Sequence, residues 1–261
     1  MTDPTDIPDR LLLAYQNQEF LDTPDARPLR IMSEYLYPLS HFRKEKVSDT
    51  IVFFGSARTF EASACGRYYT EARQLAHRLT EWSVNLEERN RFVVCTGGGP
   101  GIMEAANRGA REAGGKTIGL NIRLPFEQGA NPYITEGLHF EFHYFFMRKF
   151  WFAYLAKALV IFPGGFGTCD ELFEILTLVQ TDKLSKQIHV ILYGSDYWDQ
   201  VLNLGPMAEW GAIADSDMEL LHHADTPQDA FEQLRAHLIE NHLEPKSEQE
   251  AAAPGIAKTR G

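Results

Sequence analysis

The sequence predicts a doubly wound α/β fold, in which a mostly parallel sheet is covered by helices on both faces. Short apolar runs alternate along the chain with longer segments of helical periodicity, and the apolar runs are nearly continuous. Continuous apolar runs are typical of parallel strands that are buried on both faces. Three runs end in glycine-rich turns, at Gly55, Gly97–Gly101 and Gly164–Gly167. Because ligands bind beyond the carboxyl ends of the strands in such Rossmann-like folds, we expect these turns to line one crevice.

Composition and charge exclude several classes of protein. The chain has 261 residues, of which 44% are hydrophobic and 23% charged, enough for a sizeable core and too apolar for a mostly disordered chain. The net charge of −11 argues against nucleic acid as the main partner, although a small anion could still bind in a local pocket. Cys65, Cys95 and Cys169 are widely separated and indicate neither a disulfide framework nor a zinc cluster.

The chain divides into three predicted segments. Residues 1–45 form an N-terminal arm and helix, residues 46–243 form the main domain, and residues 244–261 form a polar, disordered tail. Apolar residues at roughly helical spacing place the N-terminal helix at 23–41. The sequence shows no signal-peptide pattern, and no apolar run approaches the roughly 18 residues of a membrane span. We therefore expect a cytoplasmic protein with no membrane partner.

Strands and helices alternate regularly through the main domain. Strands are predicted at the start of the segments IVFFGSAR (51–58), FVVCTGGGPG (92–101), KTIGLNI (116–122), LHFEFH (138–143), ALVIFPGGFGT (158–168) and IHVILYG (188–194). Helices are predicted over residues 63–82, 102–113, 144–157, 168–182, 197–210 and 227–241, with a loop over 123–136. This alternation is typical of a single α/β domain with a parallel sheet.

The glycine turns match neither of the standard phosphate-binding fingerprints. The turn at 97–101 lacks the third glycine of the dinucleotide motif. Residues 115–117 (GKT) resemble the end of a P-loop, but Ala110 stands where that motif needs its first glycine. The lysine of this segment also precedes a predicted strand, whereas a P-loop lysine opens a helix.

The turn at 163–168 (PGGFGT) has the features of an anion site. Glycine lets the backbone approach a ligand closely, and the helix that follows offers free N–H groups and the positive end of its dipole. Thr168 adds a hydroxyl donor. A tight strand-to-helix turn that binds nothing is the alternative, and the turn at 97–101 has the same two interpretations.

Charged residues near this turn suggest chemistry beyond phosphate binding. Glu171 lies three residues into the predicted helix, where an acid usually caps the helix or matches its dipole. Beside an anion loop it could instead face a ribose hydroxyl or an attacking water. Arg148 and Lys149 interrupt the aromatic segment 140–154. They form either a solvated, salt-bridged turn or a rigidly held cation pair at a crevice for an anionic ligand.

Two other groups of residues have simpler explanations. His139, Glu141 and His143 share one face of a predicted strand and could hold zinc. The alternation of apolar and polar residues in this strand already explains them as its solvent face, so we expect no metal site. Cys169 stands at a helix start, where a thiol pKa can fall, but we interpret it as a packing residue.

Three segments together resemble one known family. They are GGGPGIMEAAN at 97–107, MRK at 147–149 and PGGFGTCDE at 163–171. This combination resembles the LONELY GUY family, whose hallmark is PGGxGTxxE with an upstream arginine–lysine pair. The resemblance covers about residues 50 to 195, and the additional flanking segments resemble the longer bacterial members, which are often misnamed "lysine decarboxylase".

The resemblance implies a phosphoribohydrolase, which hydrolyses the N-glycosidic bond of AMP or a cytokinin riboside 5′-monophosphate to free base and ribose 5-phosphate. It implies that Arg148 and Glu171 are the catalytic pair, that no metal or other cofactor is needed, and that the protein is a homodimer or larger homo-oligomer. The substrate-binding residues expected from the motifs and the neighbouring turns are Ser56, Gly98, Gly99, Lys149, Gly164, Gly165, Phe166, Gly167, Thr168 and Thr177.

The implied reaction suits these residue types. Departure of the base leaves oxocarbenium-like positive charge on the ribose, which an ionised Glu171 can stabilise while it orients or deprotonates water. The guanidinium of Arg148 is too basic to donate a proton, so we expect it to hold the ligand and stabilise negative charge. A non-catalytic nucleotide sensor or carrier that uses the same crevice is the alternative function.

Overall fold

A computed structural model describes the part of the chain in which strands and helices are predicted. The described residues are 12–63, 65–87, 90–123, 129–181, 183–184 and 186–243. The predicted tail at 244–261 and the first eleven residues of the predicted arm lie outside the described residues.

Seven parallel strands in the described residues form one sheet, in the order β4-β3-β2-β1-β5-β6-β7. The strands are β1 (Thr50–Phe54), β2 (Val93–Thr96), β3 (Thr117–Ile122), β4 (His139–Phe142), β5 (Ala156–Ile161), β6 (His189–Tyr193) and β7 (Leu221–Ala224). This architecture confirms the predicted doubly wound α/β fold. The strand order reverses direction between β1 and β5, and such a switch point is where ligands bind in open α/β sheets.

Helices cover both faces of the sheet. They are α1 (Gln18–Leu21), α2 (Arg27–Lys44), α3 (Gly66–Ser83), α4 (Ile102–Glu112), α5 (Phe145–Leu155), α6 (Phe166–Gln180), α7 (Ser195–Val201), α8 (Gly205–Glu209) and α9 (Pro227–Leu238). Short 3-10 turns lie at Ala14–Gln16, Pro24–Ala26 and Asp215–Leu220, and a π-helical turn at Ile239–Leu243 follows α9. Within the described residues, no helix is long and apolar enough to cross a membrane.

The core consists of two apolar layers, one on each face of the sheet. One layer packs α2, α5, α6 and α7 against the strands and contains Phe42, Trp151, Leu172 and Trp198. The other layer packs α3, α4 and α9 against the opposite face. Strand residues are buried from both sides, which is why β1, β2 and β5 are nearly continuous apolar runs.

The C-terminal third departs from the sequence prediction in two places. The helix predicted over 197–210 is wrong, because the chain forms α7 and α8 with an extended residue, Leu202 (φ −117°, ψ 103°), between them. Pro206 opens the second helix, where its missing N–H costs nothing. Strand β7 was not predicted, because its sequence Leu-His-His-Ala is short and half polar and does not resemble a buried strand.

The N-terminal helix lies against the main domain. This helix is α2, which spans Arg27–Lys44 instead of the predicted 23–41. Residues Pro24–Ala26 form a 3-10 turn before it. Its inner face contributes Tyr35 and Phe42, whose rings lie 5.6 Å and 5.1 Å from that of Trp151 on α5. The helix therefore shares the apolar layer of α5.

Gly109 sets how closely α3 and α4 approach, which leads to a prediction. A Cβ at Gly109 would lie 2.0 Å from the main-chain oxygen of Arg73. Gly109→Ala should therefore lower the free energy of unfolding by roughly 2–3 kcal/mol, measured by urea denaturation. Gly205→Ala is the control, because its Cβ would lie 3.7 Å from its nearest neighbour in a helical segment. Equal stability of the two variants would contradict the assigned packing.

Candidate active site

Three glycine-rich turns meet at the carboxyl ends of β1, β2 and β5, which are neighbours in the sheet. The N–H of Ser56 donates to the main-chain oxygen of Pro163 at 2.9 Å, and the N–H of Ile102 donates to the main-chain oxygen of Ser56 at 3.1 Å. The turn after β1 therefore joins the other two through its backbone. These contacts bring the three turns together at one edge of the sheet, where the fold class predicts a ligand to bind.

The turn at 163–168 combines glycines of two kinds. At Gly164 a Cβ would lie 2.1 Å from the hydroxyl oxygen of Thr168, so packing requires glycine there. At Gly165 and Gly167 a Cβ would meet no atom within 4 Å, and Gly165 has an ordinary φ of −92°. Neither packing nor backbone conformation requires glycine at these two positions. The open space lies in front of the first turn of α6, where helix N–H groups lack intrahelical acceptors.

Arg148 on α5 and Glu171 on α6 form a buried ion pair behind this turn. A terminal guanidinium nitrogen of Arg148 lies 3.2 Å from Oε1 of Glu171, and the side chains are 15% and 5% exposed. The guanidinium also lies 5.1 Å and 5.7 Å from the ring centroids of Phe145 and Phe152. Arg148 therefore has both the aromatic neighbours of one sequence interpretation and the salt bridge of the other.

Burial shifts the pKa values of both partners. It raises the pKa of Glu171 to about 7, although the charges of Arg148 and Lys149 oppose this rise. Burial also lowers the pKa of Arg148, against the charges of Glu171 and Asp170. The Nε of Arg148 is buried and has no hydrogen-bond partner among the described residues. The pair thus contains a carboxyl group that titrates near neutral pH and a cation with an unused donor.

Lys149 contacts the acidic face of α6. Its Nζ lies 2.6 Å from Glu174, 2.8 Å from Asp170 and 4.0 Å from Glu171. Burial alone would lower the pKa of Lys149, but the hydrogen bonds to Asp170 and Glu174 and the nearby carboxylates raise it overall. The lysine therefore stays charged and offsets part of the negative charge around Glu171.

A buried polar network holds the turn at 97–101. Gly98 has a φ of +72°, and a Cβ there would lie 1.8 Å from Oδ1 of Asn121, so this position requires glycine. The side-chain nitrogen of Asn131 donates to the main-chain oxygens of Gly98 and Gly99, at 3.1 Å and 3.0 Å, and to Oδ1 of Asn107 at 2.9 Å. Sequence reasoning missed Asn121 and Asn131, because buried amides leave no pattern in the sequence.

Ser56, Phe166 and Thr177 are the remaining predicted site residues, and each has different surroundings. Ser56 belongs to the turn floor, and its hydroxyl oxygen accepts the N–H of Arg58 at 3.0 Å. Phe166 begins α6 and is 97% exposed. Thr177 is exposed and donates its hydroxyl to the main-chain oxygen of Phe173 at 2.7 Å. Among the described residues, no hydrogen bond or ion pair joins Thr177 to Arg148 or Glu171.

Tyr197 is a site residue that sequence reasoning did not find. Its phenol, at the start of α7, donates to the main-chain oxygen of Gly164 at 2.8 Å. The two residues are separated by 33 positions, so no local motif could connect them. Tyr197 fixes the turn at 163–168 from the side of β6.

The alternative metal and thiol sites have the surroundings expected of structural residues. His139 and Glu141 point away from the core on β4, and Glu141 forms an exposed ion pair with Arg123 at 3.0 Å. Among the described residues, no three His, Cys, Asp or Glu side chains are arranged to hold a metal ion. Cys169 packs partly buried against the core, and burial raises the pKa of its thiol.

Comparison with known proteins places the chain in a family. A sequence model of the family described as "Possible lysine decarboxylase" matches residues 103–234, slightly more than half of the chain. The "Cytokinin riboside 5′-monophosphate phosphoribohydrolase LOG" of Oryza sativa subsp. japonica is 26% identical over 205 residues, 76% of this chain and 77% of the relative. The chain belongs to the LONELY GUY family.

Further LONELY GUY relatives and a solved structure match over similar lengths. The "Probable cytokinin riboside 5′-monophosphate phosphoribohydrolase LOG6" of Arabidopsis thaliana is 26% identical over 187 residues, 72% of this chain and 87% of the relative. The X-ray structure of TM1055 superimposes with a TM-score of 0.52 at 22% identity, over 72% of this chain and 99% of that chain. This second likeness shows the shared fold.

The raised pKa of Glu171 predicts a pH-dependent stability. The unfolded chain ionises this carboxyl near its ordinary value of 4.5, and the folded protein near 7. Between these values only the folded protein keeps the proton, so Glu171 lowers the free energy of unfolding as pH rises. The Glu171→Gln variant has no carboxyl group to titrate, so its free energy of unfolding does not fall in this way. Between pH 4.5 and 7 its free energy of unfolding should therefore rise, relative to that of the wild type, by on the order of 3 kcal/mol.

Denaturation curves at several pH values between 5 and 8 would measure this difference. Glu141→Gln is the matched control, because it removes a carboxylate from an exposed ion pair. A stability difference between Glu171→Gln and the wild type that stays constant over the whole range would contradict the assigned burial of the carboxyl group.

Proposed function

We propose that this protein is a nucleoside 5′-monophosphate phosphoribohydrolase. It would hydrolyse the N-glycosidic bond of AMP or a cytokinin riboside 5′-monophosphate and release free base and ribose 5-phosphate. The observation that carries the proposal is the buried Arg148–Glu171 pair directly behind a glycine turn with open space. The names of the relatives from rice and Arabidopsis support the same reaction.

In this proposal the turn at 163–168 holds the 5′-phosphate. The open positions Gly165 and Gly167 let the phosphate approach the backbone at the N-terminus of α6, whose dipole favours an anion. Gly164 and Thr168 shape the turn, and the exposed ring of Phe166 stands beside it. This arrangement binds phosphate without a metal ion.

Glu171 would perform the chemistry in its ionised form. As the C1′–N bond breaks, the electron pair leaves with the base and positive charge develops on the ribose. The carboxylate stabilises this charge and takes a proton from the water whose oxygen forms the new bond to C1′. Its buried position strengthens this interaction, because few water molecules screen it.

Arg148 and Lys149 would have supporting roles. The buried Nε of Arg148 lacks a partner among the described residues and is available to donate to the substrate. Lys149 offsets the negative charge on the acidic face of α6 by forming ion pairs with Asp170 and Glu174. Neither cation donates the proton that the departing base requires. The base takes this proton from solvent, and the proton that Glu171 removes from the attacking water returns to solvent, so the hydrolysis balances.

The residues do not fit the lysine decarboxylase named in the family description. That chemistry uses pyridoxal phosphate, which forms a Schiff base with a neutral lysine amine. Lys149, which lies at the site, is bonded to two carboxylates, and its pKa is raised. A lysine held in its charged form is a poor nucleophile, so we derive no step through this cofactor.

The finer parts of the proposal concern the rest of the substrate and the assembly. Ser56, Gly98 and Gly99 belong to turns beside the phosphate turn and would face the ribose or the base, with Thr177 as a further substrate contact. Large exposed aromatic residues on α5 and α6 support a homodimer with the site near its interface, since such residues are typical of interfaces. They are Phe145, Phe146, Phe150, Phe166 and Phe173. A reducing, cytoplasmic environment agrees with three free cysteines.

A product assay tests the proposed reaction. Wild-type protein incubated with AMP and a panel of ribotides should release free base and ribose 5-phosphate, followed by chromatography. Glu171→Gln should lower kcat by at least about 100-fold while AMP binding stays within a few-fold. Because the ionised carboxylate is the active form, wild-type kcat/KM should rise with pH and level off above about 7.

The control for this assay is again Glu141→Gln, which should behave as the wild type. A wild-type protein that binds AMP but releases base from no nucleotide would refute the glycosidase and favour the sensor or carrier. A Glu171→Gln variant with wild-type turnover would refute the assigned role of the carboxylate.

The open space at Gly165 generates a second prediction. Gly165→Ala should fold normally, with a melting temperature within about 2 °C of the wild type, because its Cβ meets no protein atom within 4 Å. The added methyl group would occupy the space proposed for phosphate and should weaken AMP binding roughly tenfold or more, measured by calorimetry. Gly205→Ala is the control for folding and binding. Unchanged AMP affinity in Gly165→Ala would contradict the phosphate site.

A further inference from the structure

Glu34 on the N-terminal helix α2 contacts the start of α5, the helix that carries Arg148 and Lys149. Oε1 of Glu34 accepts the N–H of His143 at 2.7 Å, and Oε2 accepts the N–H of Tyr144 at 3.2 Å. Tyr144 is the N-cap residue of α5 and provides no side-chain cap of its own. A residue more than one hundred positions away therefore caps this helix.

Capping by a carboxylate is favourable at this position for two reasons. The first N–H groups of a helix have no intrahelical acceptor, and Glu34 accepts the N–H of the N-cap residue Tyr144 together with that of His143 just before it. The negative charge also lies at the positive end of the helix dipole. The main-chain oxygen of Glu34 accepts Nε1 of Trp151 at 3.0 Å, two turns further along α5.

The capped residue is linked directly to Arg148. The N–H of Arg148 donates to the main-chain oxygen of Tyr144 at 3.3 Å, so Glu34, Tyr144 and Arg148 form one chain of contacts. The opposite end of α5 is also held, since Nζ of Lys186 donates to the main-chain oxygens of Ala153 and Tyr154 at 2.5 Å and 2.7 Å. Helix α5 is thus restrained at both ends.

We propose that Glu34 is a positioning residue for the active site, which acts by holding the start of α5 so that Arg148 stays within reach of Glu171. This inference rests on the proposed function, because it assigns a role in that reaction. Glu34 does not touch the substrate in this proposal. The N-terminal helix would therefore be a working part of the active site and not only a covering of the core.

Loss of the Glu34 carboxylate should have a distinctive effect on Glu171. The charge of Arg148 opposes the rise of the Glu171 pKa, so a less firmly held arginine should let this pKa rise further. The acidic limb of the kcat/KM profile would then move to higher pH. KM should change less than kcat, because the phosphate turn belongs to α6 and is held by Tyr197 and Ser56.

The experiment compares full-length wild type, Glu34→Gln and Glu34→Ala. We expect kcat to fall roughly tenfold in Glu34→Ala and less in Glu34→Gln, which keeps one acceptor oxygen, with KM within about threefold. The main-chain bond to Trp151 survives both substitutions, so both variants should fold. Glu45→Gln is the control, because Glu45 follows α2 and pairs with Lys116 at 2.8 Å, not with α5.

Hydrogen exchange of the amides at 143–147 supplies a readout that needs no activity. Exchange should accelerate in both Glu34 variants and stay unchanged in Glu45→Gln. Unchanged exchange, or a reduced kcat with an unshifted pH profile, would overturn the positioning role. If the wild type hydrolyses no nucleotide, the proposed function fails, while the exchange data still decide whether Glu34 holds α5.

Discussion

The buried ion pair between Arg148 and Glu171 is the interaction around which this site is built. Two charged groups removed from water cost more free energy than their attraction recovers unless the surrounding structure holds them in place. Several contacts surround the pair: the rings of Phe145 and Phe152 near the arginine, the Glu34 carboxylate at the start of α5, and the carboxylates around Lys149. The surroundings of the pair therefore come from α2, α5 and α6, which share one apolar layer.

The same burial that destabilises the pair also raises the pKa of the Glu171 carboxyl group. A solvent-exposed glutamate at a helix start would be ionised and screened, and would act mainly as a cap. Glu171 is buried and its pKa is raised to about 7, so desolvation outweighs the two cations beside it. Storing such unfavourable energy is typical of functional sites, which trade stability for reactivity.

Most of the fold could be predicted from the sequence because the strongest signals are local. Apolar periodicity and backbone requirements within a few residues predict six strands, most of the helices between them and the three glycine turns. The errors have equally physical causes. Strand β7 contains two histidines, and its pairing with β6 supplies the stability that its composition lacks. The break between α7 and α8 precedes Gly205 and Pro206, a pair that disfavours a continuous helix and that apolar periodicity alone does not register.

For the candidate site, the sequence alone determined which chemical groups are present and their order along the chain: a cation pair, a glycine-rich turn and a carboxyl group. Only the tertiary structure decided their burial, their pKa values and the distances between them, because these depend on residues far away in the sequence. Tyr197 contacts Gly164 across 33 positions, and Glu34 contacts Tyr144 across 110. Such contacts leave no periodic pattern, because each involves a single side chain whose partner is set by the packing of whole helices.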